Sequence, residues 1–302
     1  MNSSKFCRRA IIVASALAIL SLQIAPTFAQ KFPLSSSQVA AIQSADSTLS
    51  AGKLRASSQR AARLYLESGL ELRVQHTQNA LMAEVANVEA SLAALKKVTM
   101  KGDKEKRDLK RALDSLTEQW GELKPTLISK YRTDKTQPVY DISEQMYIYA
   151  SKITFLFENV NNSEAGYMID VAGRLQSTSE RIAKAAIHGI TSGKSGSTVD
   201  FITWKKEYLE ASRELVGSPL NDEYQTRNLE LGSVMWGLFD DIITRATTRS
   251  TMARSDSAQV LDISKCADGM WDIAQSGRTA YVTALKRSGS DKAIARNSGR
   301  AS

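Results

Sequence analysis

The chain has 302 residues, of which 42% are hydrophobic, and sets 40 Lys and Arg against 32 Asp and Glu for a net charge of +8. Three of the cations, Lys5, Arg8 and Arg9, stand at the N-terminus, and a net four positive charges lie from Lys286 onward, so the body between them is nearly neutral. A basic pI made this way, without interleaved aromatic and basic residues, excludes a nucleic-acid groove.

Residues 1–29 read as a secretory signal peptide: the charged start, an apolar run from Ala10 to Leu20, and Ala-Pro-Thr-Phe-Ala with small residues at Thr27 and Ala29. Cleavage is expected after Ala29 and the destination is periplasmic; the alternative is an uncleaved anchor, for which the run is short. Of the two cysteines, Cys7 leaves with the leader, so no intramolecular disulfide is expected. Cys266, among Ile263, Met270 and Trp271, reads as a buried small hydrophobe.

The mature chain reads as helix almost throughout, rich in Ala, Leu, Glu, Lys and Gln and without strand periodicity. A first long helix is expected from Ser36 to Val98, loosened at Gly69. A second covers 104–131, with Leu109, Leu113, Leu116, Trp120 and Leu123 at helical spacing and a break or kink at Pro125. A third begins near Asp141 and passes Asn161-Asn162-Ser163 into a fourth, which ends at a Gly/Ser loop near residues 191–197. Helices over 198–215, 222–250 and 256–287 follow. Trp120, Tyr147, Tyr149, Phe155, Phe157, Trp236, Phe239 and Trp271 read as core. Residues 288–302 read as a flexible basic tail.

One phrase occurs twice. Residues 51–63 read Ala-Gly-Lys-Leu-Arg-Ala-Ser-Ser-Gln-Arg-Ala-Ala-Arg, and residues 172–184 read Ala-Gly-Arg-Leu-Gln-Ser-Thr-Ser-Glu-Arg-Ile-Ala-Lys. Ala51, Gly52, Leu54, Ser58 and Arg60 recur as Ala172, Gly173, Leu175, Ser179 and Arg181. The repeat predicts an all-α fold of two modules, 30–162 and 163–287, each an up-and-down antiparallel bundle; one elongated bundle is the alternative.

On a helix at roughly 100° per residue, Ala51, Leu54, Ser58, Ala61 and Tyr65 form a core seam. Gly52, Arg55, Gln59, Ala62 and Leu66 form a flank where a second helix could approach. Lys53, Arg60 and Arg63 fall on the side expected to face solvent. Arg55 offers a flat fork of donors that stays charged, and no acid lies between residues 47 and 66. Its partner is then a distant acid, water or an anion. Gln176 stands where the second copy would have its arginine.

The phrase resembles the periplasmic sensor domain shared by NarX-type nitrate/nitrite sensor kinases and PilJ-type chemotaxis transducers, on Ala51-Gly52-x-Leu54-Arg55-x-x-Ser58-x-Arg60. The second copy departs from it at Gln176 and Ser177. The resemblance implies a small inorganic anion, nitrate or nitrite, held where two phrase helices meet, with Arg55, Gly52 and Gln59 as ligand-binding residues and Gly173 and Gln176 as their second-copy equivalents. It also implies a separate membrane-bound signalling protein as partner, and a homodimer if two chains pair through their first modules. An envelope or type IV pilus adaptor without a ligand is the other reading, and an acid from Asp240, Asp241 or Glu158 beside Arg55 would favour it.

No catalytic set appears, so no enzyme is expected, nor any cofactor or metal. His76 and His188 stand alone on their helices, without ligand-spaced partners. Gly193-Lys194-Ser195 lacks the upstream glycine and preceding strand of a phosphate loop.

Overall fold

A computed structural model describes residues 36–100, 102–161, 164–192, 198–248 and 257–298. The leader, its cleavage site and the Gly193-Lys194-Ser195 segment lie outside the described residues. The described elements are α1 (Ser36–Ser68), α2 (Val74–Leu95), α3 (Asp103–Leu127), a 3-10 turn (Thr133–Lys135), α4 (Thr136–Asn161), α5 (Glu164–Ser192), α6 (Thr198–Val216), α7 (Glu223–Thr248) and α8 (Ser257–Ser298). The fold is all-helical, with no strand among the described residues.

Three expected boundaries are corrected. The first helix does not run to Val98. It stops at Ser68, and Glu71 takes a left-handed backbone with φ 53°. Two features fix the reversal: Tyr131 leaves no room for a side chain at Gly69, and Glu67 accepts from both Arg73 (2.9 Å) and Thr77 (3.1 Å) beyond the turn. α2 then returns antiparallel along α1. Pro125 sits inside the last turn of α3, which runs on to Leu127. α8 continues to Ser298 rather than ending at 287.

The two phrase helices are the most enclosed parts of the molecule. α1 packs against α2, α4, α5 and α8, and α5 packs against α1, α4, α6 and α8. Helices surrounded in this way bury residues on every side. Here small ones fill the space, with Ala51, Ala56, Ser57, Ser58, Ala61 and Ala62 on α1 and Ala172, Ser177, Thr178, Ser179, Ala183 and Ala186 on α5 all buried. The buried serines are satisfied by their own helix: Ser58 donates to the Arg55 carbonyl (3.0 Å) and Ser179 to the Gln176 carbonyl (2.9 Å).

This enclosure overturns the expected solvent face. Arg63 is 0% exposed, and the Arg60 side chain is only 11% exposed. The helical projection saw one helix, whereas α5 and α8 cover the side on which these arginines lie. Most of the expected core aromatics are buried, and Cys266 is buried with them. Phe155 is the correction, because it stands 62% exposed on the outer face of α4. His188 is also buried rather than on a surface, tilted against Tyr140 at 4.7 Å between ring centres.

Candidate functional site

The phrase helices face each other inside the chain. A Cβ built on Gly173 would lie 3.5 Å from the Gly52 Cα, so the backbones meet where both residues are glycine. Further contacts join Arg55 to Asp170, Gln59 to Lys184 and Arg63 to Glu180, and α4 runs antiparallel to both helices, with Thr154 at Arg55 and Ser143 at Gln59 on one side and Glu158 at Asp170 and Ser143 at Lys184 on the other. α1 and α5 are therefore parallel. Because both are covered along the phrase, neither offers a second copy of the chain a phrase face to pair with.

The polar contacts around this seam occur in corresponding pairs. Arg63 binds Glu180 at 2.6 Å, and Lys184 donates to Gln59 at 2.7 Å. Residue 184 is 63 shifted by 121, and 180 is 59 shifted by 121, so each contact repeats the other with the helices exchanged. Around Arg60 stand Glu84 (3.6 Å), Asp268 (3.2 Å) and the Trp271 ring (4.4 Å). Around Arg181 stand Glu207 (3.9 Å), Glu144 (2.5 Å) and the Tyr147 ring (3.9 Å). Shifts of 121 from Arg60 to Arg181, 123 from Glu84 to Glu207, and 124 from both Glu144 to Asp268 and Tyr147 to Trp271 carry one set onto the other.

These clusters are largely buried ion pairs, with Arg63, Glu180 and Lys184 fully enclosed and Glu144, Glu207 and Asp268 at their partly exposed rims. Burial opposes the charge on Arg63, but Glu180, Asp268 and Glu67 outweigh it and raise its pKa. Burial pushes Lys184 down to about 8 against the pull of Glu144. For the Glu144 carboxyl, burial alone would raise the pKa, yet Lys184 and Arg181 hold it down to about 2. Asp268 lies well below the usual carboxylate range for the same reason, facing Arg63, Arg60 and Arg73.

Arg55 has a protein partner. Its Nη2 lies 3.0 Å from Asp170 Oδ1 and 3.2 Å from the Asp170 carbonyl, and its Nη1 donates to Thr154 at 3.4 Å. Both side chains of the pair are almost completely buried. Asp170 also binds Arg174 at 3.1 Å. Burial and a hydrogen bond to Asp170 push the Glu158 carboxyl up to about 8. Asp240 and Asp241 are not the counter-charge, since they bind Lys205 and Arg245.

The other expected site residues scatter. Gln59 donates to the Ser143 carbonyl at 2.6 Å and accepts from Lys184, so its amide is occupied. Gln176 reaches the Trp271 carbonyl (3.4 Å) and Gln275 (3.5 Å) on α8, more than a turn away from the Arg55 pair. The residues missed were Asp170, Glu180, Lys184 and Arg278. Reading the two phrases crosswise would have found two of them, since the cation at 63 and 184 is kept while Gln59 is replaced by Glu180. Among the described residues no three His, Cys, Asp or Glu side chains could hold a metal ion, and His76 sits 3.3 Å from Asp268. Comparison with family models, with curated proteins and with solved structures found no match to this chain.

Proposed function

We propose that this protein is an exported, non-enzymatic helical module built as an internal pseudo-dimer, with residues 30–162 and 163–287 as its two up-and-down halves. The exchanged contacts at Arg63–Glu180 and Lys184–Gln59 support the duplication, as does the repeated box around Arg60 and Arg181. Two chains of one module would bring their phrase helices together across a twofold axis. Here a single chain does so permanently.

In this reading Arg55 is a latch between the halves and not a ligand donor. The observation that carries it is the buried Arg55–Asp170 pair at 3.0 Å. An anion at Arg55 would have to displace a carboxylate already inside the protein and leave that carboxylate buried without its main counter-charge, at a cost of several kcal/mol. The protein then acts as an envelope adaptor, meeting a membrane-bound partner through its outer helices, where Ile202, Tyr224 and Val234 stand exposed on α6 and α7.

Titration calorimetry with nitrate and nitrite tests the reading on the wild type and on Arg55→Ala. The expected result is no heat that depends on Arg55, from a protein that sediments as a monomer. Heat at millimolar anion that disappears in Arg55→Ala would overturn it and restore the nitrate/nitrite sensor implied by the resemblance.

A further inference from the structure

The second half contains an arginine of its own, on a different helix. The shift of 124 that carries Glu144 to Asp268 and Tyr147 to Trp271 also carries Thr154 to Arg278. Thr154 is the α4 residue that touches Arg55. So in the first half the phrase helix supplies the guanidinium and α4 the small residue. In the second half the phrase helix supplies Gln176 and α8 supplies the guanidinium. The two are joined through Gln275, whose Oε1 accepts from both Gln176 and Arg278.

The halves differ in what neutralises that charge. Asp170 pairs with Arg55, and the residue corresponding to Asp170 in the first phrase helix is Leu49, on the shift of 121. No carboxylate takes its place. Arg278 is 1% exposed, and its Nε and Nη1 have no hydrogen-bond partner. Among the described residues the one acid acting on it is Glu84, which is outside ion-pair reach and already engaged by Arg60 at 3.6 Å. Burial and then the nearby Arg55 lower the Arg278 pKa to about 10, with Glu84 opposing, which still leaves it charged at neutral pH. A buried, charged and unpaired guanidinium is costly, and what it lacks is a compact negative charge with hydrogen-bond acceptors.

We propose that Arg278 binds a small monovalent inorganic anion at the α5–α8 contact, as an exogenous counterpart of Asp170. Arg278 Nε and Nη1 are its donors, and Gln275 holds the guanidinium through Nη2. One unpaired positive charge calls for one negative charge, and the enclosed position favours an ion of chloride size over a phosphate.

The test uses the purified mature protein, with thermal unfolding followed in chloride and in gluconate at matched ionic strength, so that general screening cancels. A bound ion raises the midpoint with the logarithm of its concentration. We expect that rise in chloride and not in gluconate. It should be lost in Arg278→Met, and lost also in Leu49→Asp, which supplies the missing carboxylate and should raise the midpoint in gluconate. Crystals grown in bromide should show an anomalous peak beside Arg278. No chloride-specific rise, an unchanged rise in both variants, or water alone beside Arg278 in the bromide crystal would overturn the proposal. A chloride response that depended on Arg55 and survived in Arg278→Met would overturn both this site and the latch at Arg55. Loss in both the Arg278 and the Leu49 variants, with the rise kept in Arg55→Ala, supports this site and leaves the latch standing.

Discussion

The two halves of the seam solve one electrostatic problem in different ways. On the first side, Arg55 meets Asp170 at 3.0 Å, and Arg174 and Glu158 complete the cluster. On the second, Arg278 comes from α8, Gln176 replaces the phrase arginine, and Leu49 stands where the acid would be. Packing around the two is similar, because Gly52 and Gly173, the serine back-bonds and the Arg60 and Arg181 boxes all correspond. The contacts correspond while the charges do not, so the difference between the two sides lies in chemistry rather than in backbone arrangement.

The sharpest way to break that comparison is to give the first side the residue of the second. Asp170→Leu removes the main partner of a buried guanidinium, and breaking a buried pair from one side costs about 3–5 kcal/mol. Adding Arg55→Gln, the residue present at Gln176, removes the stranded charge and should recover most of the loss. Urea unfolding of the two single variants and the double gives the coupling directly. A double variant no more stable than Asp170→Leu alone would show that Arg55 and Asp170 do not act as a pair.

A second comparison sets Glu144 against Asp268, which hold corresponding arginines. The folded pKa of Glu144 is depressed from 4.5 to about 2. A depressed carboxyl contributes stability that is complete above the unfolded pKa and is lost as pH falls through the folded one. Wild-type stability should therefore drop between pH 4.5 and 2, with roughly 3 kcal/mol of the drop due to Glu144. Glu144→Gln should flatten that part of the profile, and Asp268→Asn should flatten a further part, because its pKa is shifted the same way. A profile that keeps its acid slope in both variants would locate the acid sensitivity elsewhere.

Much of this was legible in the sequence. The helices, the duplicated phrase and the closeness of Gly52 to another helix follow from composition, repeat and spacing. The partner of Arg55 did not, because Asp170 lies on a helix 115 positions away and two residues before the second phrase begins. The burial of Arg63 was missed because a helical projection has no knowledge of neighbours. Its charge suggested solvent, whereas Glu180 and Asp268 are brought to it by α5 and α8, and Glu67 lies one turn further along its own helix. Arg278 gave no local signal, since the correspondence with Thr154 appears only once α4 and α8 are seen to occupy equivalent places.

The smallest expected effect separates the two glycines that meet at the seam. In a helix interior, alanine is favoured over glycine by about 1 kcal/mol. At Gly52 an added Cβ meets nothing closer than the Gly173 Cα at 4.0 Å, an ordinary contact, so Gly52→Ala should keep most of that gain. At Gly173 the same Cβ lies 3.2 Å from Arg55 Nη2 and 3.5 Å from the Gly52 Cα. The guanidinium must shift by a few tenths of an ångström, and it is held on its other side by Asp170. Gly173→Ala should therefore be neutral or destabilising by about 1 kcal/mol, the cost of overpacking against a fixed side chain. The sign depends on the arginine and not on the backbone. In an Arg55→Gln, Asp170→Leu background Gly173→Ala should become stabilising, like its counterpart, and equal effects of the two alanines in the wild type would show that Asp170 does not hold the Arg55 guanidinium fixed against Gly173.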